Sequence, residues 1–195
     1  DGFLFREPAK GHRFLKSQES PVTPANSANW PNVLTQGNGI LNVGDKTLIY
    51  HGRWRNAPVG PDYYAEVALA TLPRDRWGAL GLTPDETRGS VWTAPFVLAD
   101  HNCQLFLNAE GIGGIKVEVA DQQFNLLPAF SGQNSGVAAE DSGLDCSVVW
   151  SAADLASLAG KAIRFRIHLE KKHTSEPRLY ALSLRGGAGQ VKSPT

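Results

Sequence analysis

The feature that most constrains this chain is the alternation of apolar and polar residues in short runs separated by glycine and proline. In the run 163–169 (IRFRIHL), Ile163, Phe165, Ile167 and Leu169 alternate with Arg164, Arg166 and His168. In 115–119 (IKVEV), Ile115, Val117 and Val119 alternate with Lys116 and Glu118. A period of two places successive side chains on opposite faces of a strand. The apolar sets are therefore expected to face a core, and Lys116, Glu118, Arg164, Arg166 and His168 to face solvent. Runs rich in β-branched and aromatic residues recur at 46–50 (KTLIY), 63–72 (YYAEVALATL), 90–98 (SVWTAPFVL), 104–108 (QLFLN), 146–150 (CSVVW) and 179–184 (LYALSL). Twenty glycines and twelve prolines punctuate them, which is the sequence character of an all-β chain. One segment, 151–160, reads as about two helical turns, with Ser151 as N-cap, Asp154 three residues on and Gly160 as stop.

The runs group into two regions. Four strand-like pieces at 34–43, 46–54, 63–72 and 77–80 predict an antiparallel meander. Its turns are Gly44-Asp45, the loop 58–61 and Pro73-Arg74-Asp75. Such a meander is also the unit of a propeller blade. A break near 79–89 precedes about seven or eight further strands, the size of a β-sandwich or jelly roll. The expected organisation is a blade-like sheet with an N-terminal loop over 1–80, a β-sandwich over 81–187 and a flexible tail over 188–195. A lone meander needs a covered face, so Tyr64, Val67, Leu69 and Trp77 are expected to be buried against the sandwich.

Charge excludes some functions. With 19 basic and 19 acidic residues, the chain lacks the basic surplus of a nucleic-acid binder. No apolar run reaches the ~18 residues that span a bilayer, so no membrane partner is expected. The chain contains no methionine, which leads us to expect a processed or excised chain. Cys103 and Cys146 lie 43 positions apart with no CxxC motif, so a zinc site is not expected. Two buried thiols and one cross-strand disulfide both remain open.

Three stretches together resemble a known group. Asp1-Gly-Phe-Leu-Phe5 is similar to an outer-strand phrase of sugar-cleaving propellers. The run 48–55 (LIYHGRWR) followed by 64–77 (YAEVALATLPRDRW) resembles the last blade of the five-bladed propeller enzymes of glycoside hydrolase families 32 and 43. The ordered phrases 89–96, 105–108, 115–119, 148–150, 158–166 and 179–182 are similar to the β-sandwich that follows such propellers. The resemblance covers residues 1–5 and 30–185. It implies a secreted, extracellular or periplasmic glycoside hydrolase-like parent, of which this chain is the last blade plus the sandwich. The partners it implies are the earlier propeller blades of the same protein. One departure is large: at about 40–50 residues per blade, five blades exceed the whole chain. The family's acid and nucleophile carboxylates come from earlier blades, so no complete active site is expected here.

Sugar binding matches the residue types best. Pyranose rings stack on Trp and Tyr, and Asn, Gln, Asp and Arg read hydroxyls. The densest cluster is Tyr50-His51-Gly52-Arg53-Trp54-Arg55, with Gln36-Gly37-Asn38-Gly39 preceding it. Alternation places Tyr50, Gly52 and Trp54 on one face and His51, Arg53 and Arg55 on the other. Candidate carbohydrate contacts are Trp54, Arg53, Tyr50, His51, Asn38 and Trp30. A structural role is the alternative, with Trp54 packed between blade and sandwich and Arg53 holding an acidic partner. For hydrolysis, two facing carboxyl groups are needed, and the candidates are Glu66 and Asp62. Glu140, Asp141 and Asp145 form an acidic loop with the oxygen ligands that Ca²⁺ prefers, though without EF-hand spacing. No other cofactor is expected. The readings carried forward are an accessory carbohydrate-associated region, a standalone lectin-like module and a small glycosidase.

Overall fold

The computed structural model describes residues 10–20, 22, 32–57, 62–99, 102–140, 142–172 and 175–186, with the side chain of Asn38 outside that set. The protein is all-β. Its described residues form eleven strands and five short 3-10 turns, with no α-helix. No helix among them is long and apolar enough to cross a membrane. The chain divides into two compact units, Asp1–Leu72 and Pro73–Thr195. Residues 1–9, Trp30, Asp141 and the expected tail over 188–195 lie outside the described residues.

The first unit is a three-stranded sheet in the order β1-β2-β3, with β1 Val33–Val43, β2 Lys46–Arg55 and β3 Tyr64–Pro73. Strands β1 and β2 pair antiparallel across the Gly44-Asp45 turn, where Gly44 takes a positive φ of 59°. A register shift between Gln36 and Gly39 marks a bulge in β1. The expected fourth strand at 77–80 is not part of this sheet. Leu80 instead makes an antiparallel bridge to Leu179 in the second unit, and both its N–H and its C=O are used there.

The segment that opens the second unit turns at Pro73–Arg76, with the Arg76 N–H donating to the Pro73 carbonyl at 3.1 Å and Asp75 at a φ of 60°. Its side chains then fasten it to the sandwich. Arg76 Nε donates to Asn108 Oδ1 at 3.0 Å, and Asn108 Nδ2 donates to the Arg74 carbonyl at 2.6 Å. The Arg76 guanidinium lies over the Tyr180 ring at 4.4 Å and pairs with Glu110. Two polar groups at one end of a strand, rather than any local strand propensity, decide where 73–80 lies.

The second unit contains two four-stranded sheets around one core. In one, β10 (Ala162–Glu170) pairs with β4 (Arg88–Trp92) and β5 (Phe96–Val97) on one side and β7 (Ile115–Asp121) on the other. In the other, the order is β11 (Arg178–Arg185), β6 (Gln104–Glu110), β9 (Gly143–Val149), β8 (Val137–Ala138). Among the described residues the strands of this unit pair antiparallel, as in a sandwich-like fold. The alternation in β10 is borne out: Ile163, Phe165, Ile167 and Leu169 are all 3% exposed or less. They share a core with Val117 and Val119 of β7, Leu105 and Leu107 of β6, and Val148 of β9. The Phe165 ring packs on Phe96 and Trp150 with centroids 5.2 and 6.3 Å away. Trp150 Nε1 donates to the Val117 carbonyl at 3.2 Å, so the indole is buried with its one donor satisfied.

Two local expectations, on Ser151 and on Glu118, are corrected, and one of the two open readings of the cysteines is selected. The turn after β9 is a single 3-10 turn, Leu155–Leu158, and its cap is Asp154, whose Oδ1 accepts from the Ala156 N–H at 2.9 Å, not Ser151. Cys103 and Cys146 are both buried thiols with no disulfide between them, and burial pushes the Cys146 thiol up. Glu118, expected in solvent, is 6% exposed. The loop after the 3-10 turn Pro128–Phe130 folds back over β7: Ser131 Oγ donates to the Val119 carbonyl at 3.2 Å, and Gly136 exchanges two backbone hydrogen bonds with Val117. That loop covers the side of β7 that strand periodicity assigns to water.

Candidate functional site

The Tyr50–Arg55 cluster sits in β2, the central strand of the first sheet, and the strand pleat divides it as alternation requires. Cross-strand partners share a face, and the register pairs Trp54 with Val33, Tyr50 with Gly39, Leu48 with Leu41 and Lys46 with Val43. Trp54 meets the Tyr63 ring edge to face at 5.6 Å, which places 63 and its alternate positions in β3 on the same side. This face is apolar. Leu41, Val43, Tyr50, Tyr63, Val67 and Leu69 are all more than 40% exposed. Val67 and Leu69, together with Tyr64 and Trp77, were expected to be buried and are not. Gly52 lies beneath the Trp54 indole: a Cβ there would come within 2.9 Å of Nε1. Thr35 Oγ1 would stand closer still, so the close approach that Gly52 permits is taken by the chain's own Thr35 and Trp54.

The opposite face is polar. Arg53 Nε donates to Glu66 Oε1 at 2.6 Å, and Tyr64 donates to Glu66 Oε2 at 3.3 Å. Arg55 lies over the Tyr64 ring at 5.3 Å, and its Nε donates to the Asp62 carbonyl at 3.0 Å. Glu66 is therefore the acidic partner of Arg53, and its two oxygens are both engaged. Asp62 is an exposed turn residue with a φ of 55°, and its backbone carbonyl accepts from Arg55. His51 is 6% exposed and its Nε2 lies 3.0 Å from Ser20 Oγ. Burial takes His51 out of reach of a ligand on the sheet surface. Of the six carbohydrate candidates, the structure brings Tyr50 and Trp54 to the apolar face and places Arg53 and His51 on the other. Asn38 lies in the β1 bulge, its side chain outside the described residues, as is Trp30.

Of the acidic loop, Asp145 is engaged in ion pairs and Glu140 in a hydrogen bond. Asp145 is clamped by Arg74 and Arg185, whose charges outweigh the upward push of burial and hold its carboxyl below the usual carboxylate range. Glu140 Oε2 accepts from the Ser147 N–H at 3.1 Å. Among the described residues no group of three His, Cys, Asp or Glu side chains is placed to hold a metal.

A second constellation escaped the alternation argument. Glu118 accepts from the Gly132 N–H at 2.8 Å on Oε1, while Oε2 lies 2.7 Å from His168 Nε2 and 3.7 Å from the Arg166 guanidinium. Burial raises the pKa of this carboxyl, but the Gly132 N–H, His168 and Arg166 together prevail and hold it below its ordinary value. The signal available in sequence was the pairing of an acid in one alternating strand with bases in another. Only the register, which sets Glu118 opposite Arg166, makes it legible. Comparison with known proteins identifies no relative: no family matches the chain, and neither curated proteins nor solved structures include a significant match.

Proposed function

We propose that this chain is a carbohydrate-associated accessory region of a secreted glycoside hydrolase-like protein. In this reading the first unit is a terminal blade and the second a sandwich that braces a catalytic propeller. The observation that carries it is the bare apolar face of the first sheet. A three-stranded sheet with Leu41, Val43, Val67 and Leu69 in water is a poor independent structure. In a propeller, each blade covers its neighbour's face, and a preceding blade of the same protein is the occupant this face calls for. The sheet has three strands where a blade has four, so the occupant or the adjoining chain would supply the fourth.

The deciding experiment reads the coding sequence upstream of Asp1. Blade-like repeats of about 40–50 residues carrying carboxylates support the proposal. A start codon or leader cleavage site immediately before Asp1 overturns it.

A lectin-like module is the second reading, favoured by the Trp54–Tyr63 pair beside exposed Tyr50 on one face. It predicts that the chain alone binds neutral glycans and that Tyr63→Ala abolishes this binding.

A further inference from the structure

The outer face of the β4–β10–β7 sheet differs from an ordinary solvated face. Its rows follow from register: Arg88 opposite Glu170, then Ser90, His168 and Lys116, then Trp92, Arg166 and Glu118. Cross-strand neighbours stand about 5 Å apart and successive rows about 7 Å apart. The buried Glu118 carboxylate holds His168 and Arg166. Arg88 and Lys116 are exposed and make no ion pair among the described residues. Together they rim a depression of about 390 Å³, with Ser90, Ser135 and His168 in its wall. The chain as a whole is neutral, so these cations are a local concentration.

An aromatic shelf adjoins the depression. The Arg166 guanidinium lies over Trp92 at 5.4 Å, Trp92 meets Phe124 edge to face at 5.2 Å, and Arg164 covers Phe124 at 4.2 Å. Phe124 is 50% exposed and adopts a φ of 67°. Among the described residues the other non-glycine positions with positive φ are Asn56, Asp62 and Asp75, types that tolerate the left-handed region. A phenylalanine there is strained by about 1 kcal/mol or more. Asp121 enforces the turn, its Oδ1 accepting from the N–H groups of Gln123 and Asn125 at 2.8 and 2.9 Å. A half-exposed aromatic ring on a strained backbone is not what stability alone favours, and such outliers gather at binding sites.

We propose that this face binds an acidic saccharide, its carboxylate or sulfate group held by Arg88, Lys116 and His168 and a sugar ring stacked on the half-exposed Phe124 ring beside Trp92. Cations with aromatics also suit single-stranded nucleic acid. Glu118 and Glu170 within the same face disfavour a continuous phosphate backbone, so a saccharide with spaced charges is the better fit. The ligand class rests on the carbohydrate reading above; the anion and stacking subsites rest on the geometry alone.

The test titrates the full chain by calorimetry with four probes: polygalacturonate oligomers, the same oligomers fully methyl-esterified, dextran sulfate, and oligothymidylate. Binding of polygalacturonate or dextran sulfate, weakening with salt, is expected, and the comparison identifies the anion. Arg88→Ala/Lys116→Ala should weaken it roughly tenfold or more, on the scale of charge-assisted contacts. Phe124→Gly separates binding from folding: it should weaken binding several-fold while changing Tm little, because relief of the strained φ offsets the lost contacts to Trp92 and Arg164. Equal binding of the esterified oligomers, wild-type affinity in these variants, tighter binding of oligothymidylate, or no binding of either polyanion overturns the proposal. Propeller repeats upstream together with no polyanion binding would refute this site and leave the accessory-region reading intact.

Discussion

Replacing Glu118 with glutamine tests whether the charge of a buried carboxylate ties β7 to His168 and Arg166 of β10. The side chain keeps its size, and Oε1 can still accept from Gly132. The charge-assisted contacts to His168 and Arg166 are lost. A hydrogen bond to a charged group contributes about 1.5–3 kcal/mol. The Arg166 contact is longer and part-exposed, which adds little. The expected loss at pH 7 is therefore about 2 kcal/mol, or roughly 6–12 °C in Tm for a unit of this size. The sign with pH follows from linkage. Glu118 has a depressed folded pKa, so its stabilisation is complete above the unfolded value and disappears as pH falls through the folded one. The difference between wild type and Glu118→Gln should shrink toward zero in acid. Urea unfolding of both proteins across this range, followed by Trp fluorescence, measures it. A difference that stays the same at pH 7 and at acid pH, or none at pH 7, refutes the electrostatic account.

Phe165→Ala removes a ring that is 1% exposed between Phe96 and Trp150 and should cost about 3–5 kcal/mol in urea unfolding. Gly136→Ala puts a Cβ 2.5 Å from Trp150 Cε2 and should cost about 1–3 kcal/mol, with an altered near-UV signal from the displaced indole. Val67→Lys/Leu69→Lys should lower the binding of a hydrophobic dye by the first unit, with stability within about 0.5 kcal/mol of wild type, since both side chains are already in water.

Much of the architecture is local and could be read directly. The period of two in 163–169 follows from the pleat, so Ile163, Phe165, Ile167 and Leu169 had one possible side once a core existed. The Gly44-Asp45 hairpin and the 73–76 turn follow from residues whose backbone preferences act over two or three positions. The division of Tyr50 and Trp54 from Arg53 in the candidate site is legible for the same reason: it needs only the pleat of one strand.

What the structure alone decided depends on partners distant in the chain. Glu118 occupies an outward position by periodicity, yet a loop fourteen residues on donates to it, and strand register brings Arg166 and His168 alongside. The Arg53–Glu66 pair and the Trp92–Phe124 shelf likewise join separate segments. The 77–80 stretch carries a strand-like composition, but Arg76, Asn108 and Glu110 fasten its preceding turn to the sandwich and Leu80 bridges Leu179. Periodicity determines which way a side chain points from its own strand. Burial, charge pairing and sheet membership depend on what another part of the chain brings to that spot, and only the tertiary structure fixes that.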